Sequence, residues 1–111
     1  MKIWKTTTAD SYFSRYILER DGRCRRCGGA PSDNSHFWGR SHSATRFDPN
    51  NCIALCRPCH TLWEHHKNDE YKDWMIDWLG LEEYNALEKR ARSFMKREQS
   101  ILACMSLLGR V

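Results

Sequence analysis

Cys24-Arg25-Arg26-Cys27 and Asn51-Cys52-Ile53-Ala54-Leu55-Cys56-Arg57-Pro58-Cys59-His60 organise this chain. Each holds a Cys-x-x-Cys pair. A two-residue spacer lets both thiolates of one pair reach the same ion. Zinc takes four soft ligands in a tetrahedron. Cys24, Cys27, Cys56 and Cys59 would therefore close one structural zinc site, with no coordination position left open. The alternative is two disulfides, which a reducing compartment disfavours. Cys52 and Cys104 are left over and are expected to be buried, inert thiols. The long segment 28–55 between the pairs exceeds the usual ribbon spacing, so a hairpin must loop out there.

The rest of the composition fits that frame. The chain has 111 residues, 41% apolar and 29% charged, with six cysteines. That suits one domain with a modest core that a metal would strengthen. No apolar run approaches the roughly 20 residues of a transmembrane helix. The N-terminus, Met1-Lys2-Ile3-Trp4-Lys5, has no signal-peptide core, which sets a cytoplasmic expectation. A net charge of +4 is a weak pointer to an anionic partner.

Three parts are expected. In residues 1–22, Asp10 is placed to cap a helix. Tyr12, Phe13, Tyr16 and Ile17 share one of its faces, and Gly22 ends it. Residues 23–67 are dense in Cys, His, Gly, Pro and Asn. Short strands are expected around His36-Phe37-Trp38 and Cys52-Ile53-Ala54-Leu55. A helix follows from Cys59 to about Lys67, with Pro58 in its first turn. Residues 68–111 read as helical. Tyr71, Trp74, Met75, Trp78 and Leu79 keep helical spacing up to Gly80. Leu81, Tyr84, Leu87, Ala91 and Phe94 continue it, and Ile101, Leu102, Met105 and Leu108 form a last stretch. This aromatic stripe reads as core packing more readily than as a base-stacking surface. The run Lys89, Arg90, Arg92, Lys96 and Arg97 reads as a solvated face or a phosphate contact.

The looped-out segment carries more imidazole than a structural zinc needs. His36, His42 and Asn51 fall within it, and His60 follows the last cysteine directly. Histidine serves as a metal ligand or as a general base near neutral pH. His60 and Glu64 stand at i and i+4 on the expected helix, so they share a face and can meet one ion. His65 and His66 read as surface residues.

The pattern Cys24-x-x-Cys27, Ser35-His36, Asn51-Cys52-Ile53-Ala54-Leu55-Cys56-x-x-Cys59-His60 resembles the HNH endonucleases built on a zinc-knuckle frame, with His36, Asn51 and His60 at the family's three letters. Residues 36–48 look more specifically like phage-type members. The resemblance covers roughly residues 24–66 and rests on the combined motif, since each piece alone is weak. It implies a small α+β protein. A ββα-metal module would sit on the four-cysteine zinc-knuckle frame, flanked by an N-terminal helix and a helical C-terminal tail.

It also implies roles. His36 would be the general base that activates water, and His60 a ligand of one catalytic divalent cation, Mg²⁺, Mn²⁺, Ni²⁺ or Zn²⁺. Asn51 would hold the hairpin loop or bind that metal. Many members place Asp before the base His. Here Ser35 stands there, and a hydroxyl is a poorer ligand for a hard cation than a carboxylate. His42, Glu64, Asp33 and Asp48 are the candidates to complete the site, with His42 and Glu64 favoured. Arg40 and Arg46 lie in the segment that would line the cleft, where a guanidinium suits the DNA backbone. The expected activity is DNA phosphodiester hydrolysis, nicking or double-strand, leaving 5′-phosphate and 3′-hydroxyl ends in phage DNA processing or recombination. Two alternatives stand beside it: a non-catalytic zinc-ribbon DNA-binding accessory, and a zinc-stabilised interaction domain using the aromatic tail. A homodimer would account for double-strand cuts.

Overall fold

Ala9, Phe13 and Ile17 recur at helical spacing and are fully buried. They define α1 (Thr6–Asp21) in the computed structural model, which describes residues 2–110. Burying Phe13 and Ile17 contributes about 1.5–3 kcal/mol each. Gly22 ends the helix in the left-handed region, φ 72°, and its N–H bonds the Leu18 carbonyl. The expected cap is corrected. α1 begins four residues before Asp10, with Lys5 at the N-cap position. Asp10 lies inside the helix, its carboxylate held by Arg46 instead.

β1 (Asp33–His36) and β2 (Cys52–Leu55) pair antiparallel, with His36 opposite Cys52 and Ser35 opposite Ile53. Phe37 and Trp38, expected to continue the first strand, lie beyond its end. The reason is Asn51. Its carbonyl takes the Phe37 N–H, and its side chain takes the Trp38 N–H, so the chain turns away from the ladder. A short 3₁₀ turn (Pro49–Asn51) leads into β2, and Asp48 caps it by accepting from the Asn50 N–H.

β2 is apolar along its whole length because it is covered on both faces, as period-2 alternation requires. Cys52 joins a cluster with Ala9, Phe13, Ile17, Phe47, Ile101, Cys104 and Met105. Ile53 and Leu55 join a second one with Trp63, Tyr71, Met75, Tyr84 and Leu87. Cys52 and Cys104 are fully buried, and burial pushes both thiols up. Asp21 ties α1 to the sheet: it accepts from the Ala54 N–H at 2.8 Å and from Arg20 and Arg25.

Four helices follow: α2 (Arg57–His65), α3 (Asn68–Leu79), α4 (Leu81–Ala91) and α5 (Arg97–Leu107). Pro58 sits in the first turn of α2, where its missing N–H costs nothing. Tyr71 and Met75 bury the inner face of α3, and Trp74 and Trp78 pack beside them. The outer side of those indoles is covered by Arg20 and Arg25, at 5.1–5.5 Å from the rings. The stripe is thus core through Tyr71, Met75, Tyr84, Leu87 and Ala91, whereas Leu81, at the start of α4, is exposed. Phe94 departs from expectation: it follows α4 and is 86% exposed. The fold is a small α+β one, with five helices and a two-stranded antiparallel sheet among the described residues. No helix of the described residues is long and apolar enough to cross a membrane.

Candidate functional site

The four knuckle cysteines converge. Their sulfurs all lie within 4.8 Å of one another, and Cys27 Sγ is 3.7 Å from Cys56 Sγ. A disulfide would need about 2.05 Å. Thiolates about 2.3 Å from a shared zinc stand roughly 3.8 Å apart in a tetrahedron. The spacing therefore fits a metal centre. The first knuckle is a tight turn: Gly28, at φ 80°, donates to the Cys24 carbonyl, and Gly29 N–H points at Cys27 Sγ, 3.4 Å away. The second knuckle opens α2, with Cys56 at its N-cap, and without a metal, burial pushes the Cys59 thiol up to about 12 against the Arg26 guanidinium. Burial opposes the Cys24 thiolate, but the N–H groups of Cys27, Cys56 and Arg26 outweigh it and bring the thiol down to about 6.

Beside this frame lies a cleft of about 520 Å³, lined in part by Asp10, Asp33, His36, Arg40, His60 and Glu64. Three elements build it. β1 carries Asp33 and His36, α2 carries His60 and Glu64, and α1 closes the side with Asp10 and Ser14.

His60 stands between two carboxylates. Its Nδ1 is 2.9 Å from Asp33 Oδ2, and its Nε2 is 3.0 Å from Glu64 Oε2. A carboxylate accepts, so Nδ1–H donates to Asp33. Nε2 then offers its lone pair toward the Glu64 carboxylate. The ring nitrogen and the carboxylate oxygen are close enough to be bridged by a shared proton or a shared cation. A carboxylate behind an imidazole is also how metal-binding histidines are oriented. His60 Nε2 and Glu64 thus present two adjacent donors to the cleft, while the cysteine cluster is the one group of three or more metal-ligating side chains among the described residues. Asp33 is itself fixed by Arg57, at 2.7 and 3.2 Å. That guanidinium, aided by His60 and Ser32 and opposed by partial burial, holds the Asp33 carboxyl well below the usual carboxylate range.

His36 is held differently. Its Nε2 lies 2.9 Å from the Arg46 carbonyl. A carbonyl only accepts, so Nε2 carries the proton and Nδ1 is the free base. Burial is the largest influence on this ring and lowers its pKa, with the Arg46 carbonyl working against it. The neutral form therefore dominates at pH 7.

Asn51 is fully buried and pins the intervening loop. Its Oδ1 accepts from the Trp38 N–H at 2.8 Å, and its Nδ2 donates to the carbonyls of Trp38 and Thr45 at 2.9 and 3.0 Å. Three of its four side-chain hydrogen-bonding positions are spent on backbone. Of the two roles open to it, the geometry matches the holding one.

Other expected residues stand elsewhere. His42 does not line the cleft: its Nδ1 bonds the Ala91 carbonyl at 3.0 Å and its ring meets Trp38 edge-on. Asp48 bonds Arg90. Ser35 faces the core, 2.8 Å from the Tyr71 hydroxyl. Arg46 forms a two-pronged pair with Asp10, at 3.0 and 2.5 Å. Arg40 is freer, with its side chain 62% exposed and 3.7 Å from Asp10. In the basic run, Arg90 pairs with Asp48 and Glu83, and Arg92 with Glu88. Lys89, Lys96 and Arg97 lie toward solvent.

A second hollow, about 410 Å³, shares His36 and Glu64 with the first and is lined also by Phe37, Trp38, Tyr71 and Tyr84. Sequence reasoning missed it, because its walls come from β1, α2, α3 and α4 together. It also underrated Asp33, although Asp33 and Ser35 share the strand's alternation. Two buried polar atoms lack a partner among the described residues: Asn34 Oδ1, on a residue lining the cleft, and Trp38 Nε1, on one lining the second hollow. Comparison with protein-family models, curated proteins and solved structures finds no match for this chain.

Proposed function

We propose that this protein is a metal-dependent endonuclease of the HNH type, hydrolysing DNA phosphodiester bonds on a ββα-metal module framed by the four-cysteine zinc site. One observation carries the reading. A neutral imidazole with a free Nδ1, His36, lines the same cleft as an imidazole backed by one carboxylate and facing another, His60 with Asp33 and Glu64.

In this reading, water in the cleft attacks phosphorus and gives its proton to His36 Nδ1. A new P–O bond forms as the bond to the 3′ oxygen breaks. The leaving oxygen takes a proton from solvent, and His36 later returns its own. The products carry 5′-phosphate and 3′-hydroxyl ends. General-base help of this kind is worth typically 10²–10⁴-fold. A divalent cation bound at His60 and Glu64 would supply Lewis-acid stabilisation of the charge that develops on phosphate oxygens. Asp33 fixes the tautomer of His60. Arg40 offers its guanidinium to the DNA backbone, while Asn51 and the Asp10–Arg46 pair hold the loop that positions His36.

The test is cleavage of an end-labelled DNA duplex with Mg²⁺, Mn²⁺, Ni²⁺ or Zn²⁺ added, with the product ends mapped by phosphatase and ligase. Metal-dependent scission leaving ligatable 5′-phosphate ends supports the reading. A folded, zinc-bearing protein that binds the duplex and cuts under none of these ions would instead be a zinc-ribbon DNA-binding accessory.

A further inference from the structure

We propose that the second hollow takes one unpaired, amino-bearing nucleobase next to the scissile phosphate, so that the substrate is DNA with an unstacked nucleotide at the cleavage position. This rests on the nuclease reading for the placement of the phosphate. The hollow and the cleft share His36 and Glu64 as lining residues, so the aromatic hollow adjoins the cleft that carries Arg40 and His60. At about 410 Å³ it has room for a single base and lies within the usual range of ligand pockets. The half-buried Phe37 and Trp38 supply its accessible aromatic wall, and the core residues Tyr71 and Tyr84 form its floor. Aromatic walls bind bases by stacking, and a base inside a duplex cannot leave its stack without first being unpaired.

The polar rim narrows the choice of base. Asp69 on α3 and Glu88 on α4 line the hollow, with Asn68 and Lys72 also from α3; Glu88 is bonded on one oxygen by Arg92 and keeps its other oxygen for a ligand. Carboxylates accept from exocyclic amines such as the N4 amine of cytosine, and thymine has no such donor.

Binding is measured by fluorescence anisotropy in buffer without added divalent cation, where the zinc of the cysteine site is kept and cleavage is not required. The probes are a 20-base-pair duplex and the same duplex with one unpaired dC or one unpaired dT. The wild type is expected to bind the unpaired-dC probe about tenfold tighter than the full duplex, the range of one base stacked on aromatic side chains, and tighter than the dT probe. Asn68→Trp, a charge-neutral change that fills the hollow from the start of α3, is expected to erase that preference while leaving duplex affinity unchanged. Glu88→Gln removes a negative charge, so simple electrostatics predicts tighter binding of every probe; the proposal predicts a smaller dC-over-dT ratio. Zinc content and thermal melting confirm that each variant is folded. Equal binding of all three probes by the wild type, or a preference that survives Asn68→Trp, overturns the proposal. Because no cleavage is read, a failure here is distinct from a failure of the nuclease reading, which the end-labelled assay tests.

Discussion

The Nε2 of His36 sits 2.9 Å from the backbone carbonyl of Arg46, and the Arg46 side chain is clamped by Asp10 of α1. One contact thus fixes the tautomer of a base, and the other fixes the segment that fixes it. Because burial lowers the pKa of His36 from the ordinary 6.5, the free base persists below the usual imidazole midpoint. The acidic limb of a cleavage pH profile is predicted to fall below pH 6.5. A limb above that value would contradict the assignment.

The same shift has a consequence for stability. A histidine with a depressed folded-state pKa contributes stability that is full above its unfolded value and is lost as pH falls. His36→Gln is therefore predicted to flatten the fall in melting temperature as pH drops below about 6.5. Parallel curves for variant and wild type would show that His36 is not the group responsible.

Asn51 satisfies three backbone groups in a buried site. Asn51→Ala leaves those groups without partners, at a cost of about 2–4 kcal/mol in urea unfolding. It is predicted also to reduce cleavage, since the loop it pins carries the Arg46 carbonyl. A loss below about 0.5 kcal/mol, that of an ordinary surface substitution, would show that the loop holds without it.

Arg40 and Arg46 divide into two roles. Arg40 is largely exposed, and Arg40→Ala is predicted to raise the Kd for DNA and reduce the steepness of its salt dependence by about one counterion. Arg46 is committed to Asp10, so Arg46→Ala is predicted to lower thermal stability and cleavage more than DNA affinity. An unchanged salt slope for Arg40→Ala would remove that residue from the interface.

The cysteine centre is predicted to hold one zinc per chain by elemental analysis. Cys56→Ser or Cys59→Ser, or a strong chelator, is predicted to release it and abolish cooperative unfolding, because in small metal-framed domains binding energy is folding energy. Full stability of a zinc-free protein would show that the apolar clusters suffice.

Much of this was legible in the chain. The cysteine spacing led to the metal frame, Cys52–Leu55 to the second strand, and the Tyr71 and Met75 positions to the inner face of α3, because each is a local pattern with a local cause. What escaped were side chains whose partners are distant in sequence. Asp10 looks like a cap until Arg46, far along the chain, claims its carboxylate. Asp33 stands in the sequence only as one of four candidate metal ligands, and its place behind His60 depends on α2 bringing that ring to β1. His42, attractive by composition, is drawn to the Ala91 carbonyl at the end of α4. Helical spacing did not show that Phe94 lies past the end of α4, since spacing carries no stop signal there.

The most direct test of the account is conversion of supercoiled plasmid by the zinc-loaded protein with added divalent cation, wild type beside His36→Ala. The account predicts nicked or linear product that depends on the cation and falls at least about 100-fold in the variant, with zinc content and melting behaviour retained. Equal cleavage by the two proteins would contradict it, because no base at His36 would then be needed.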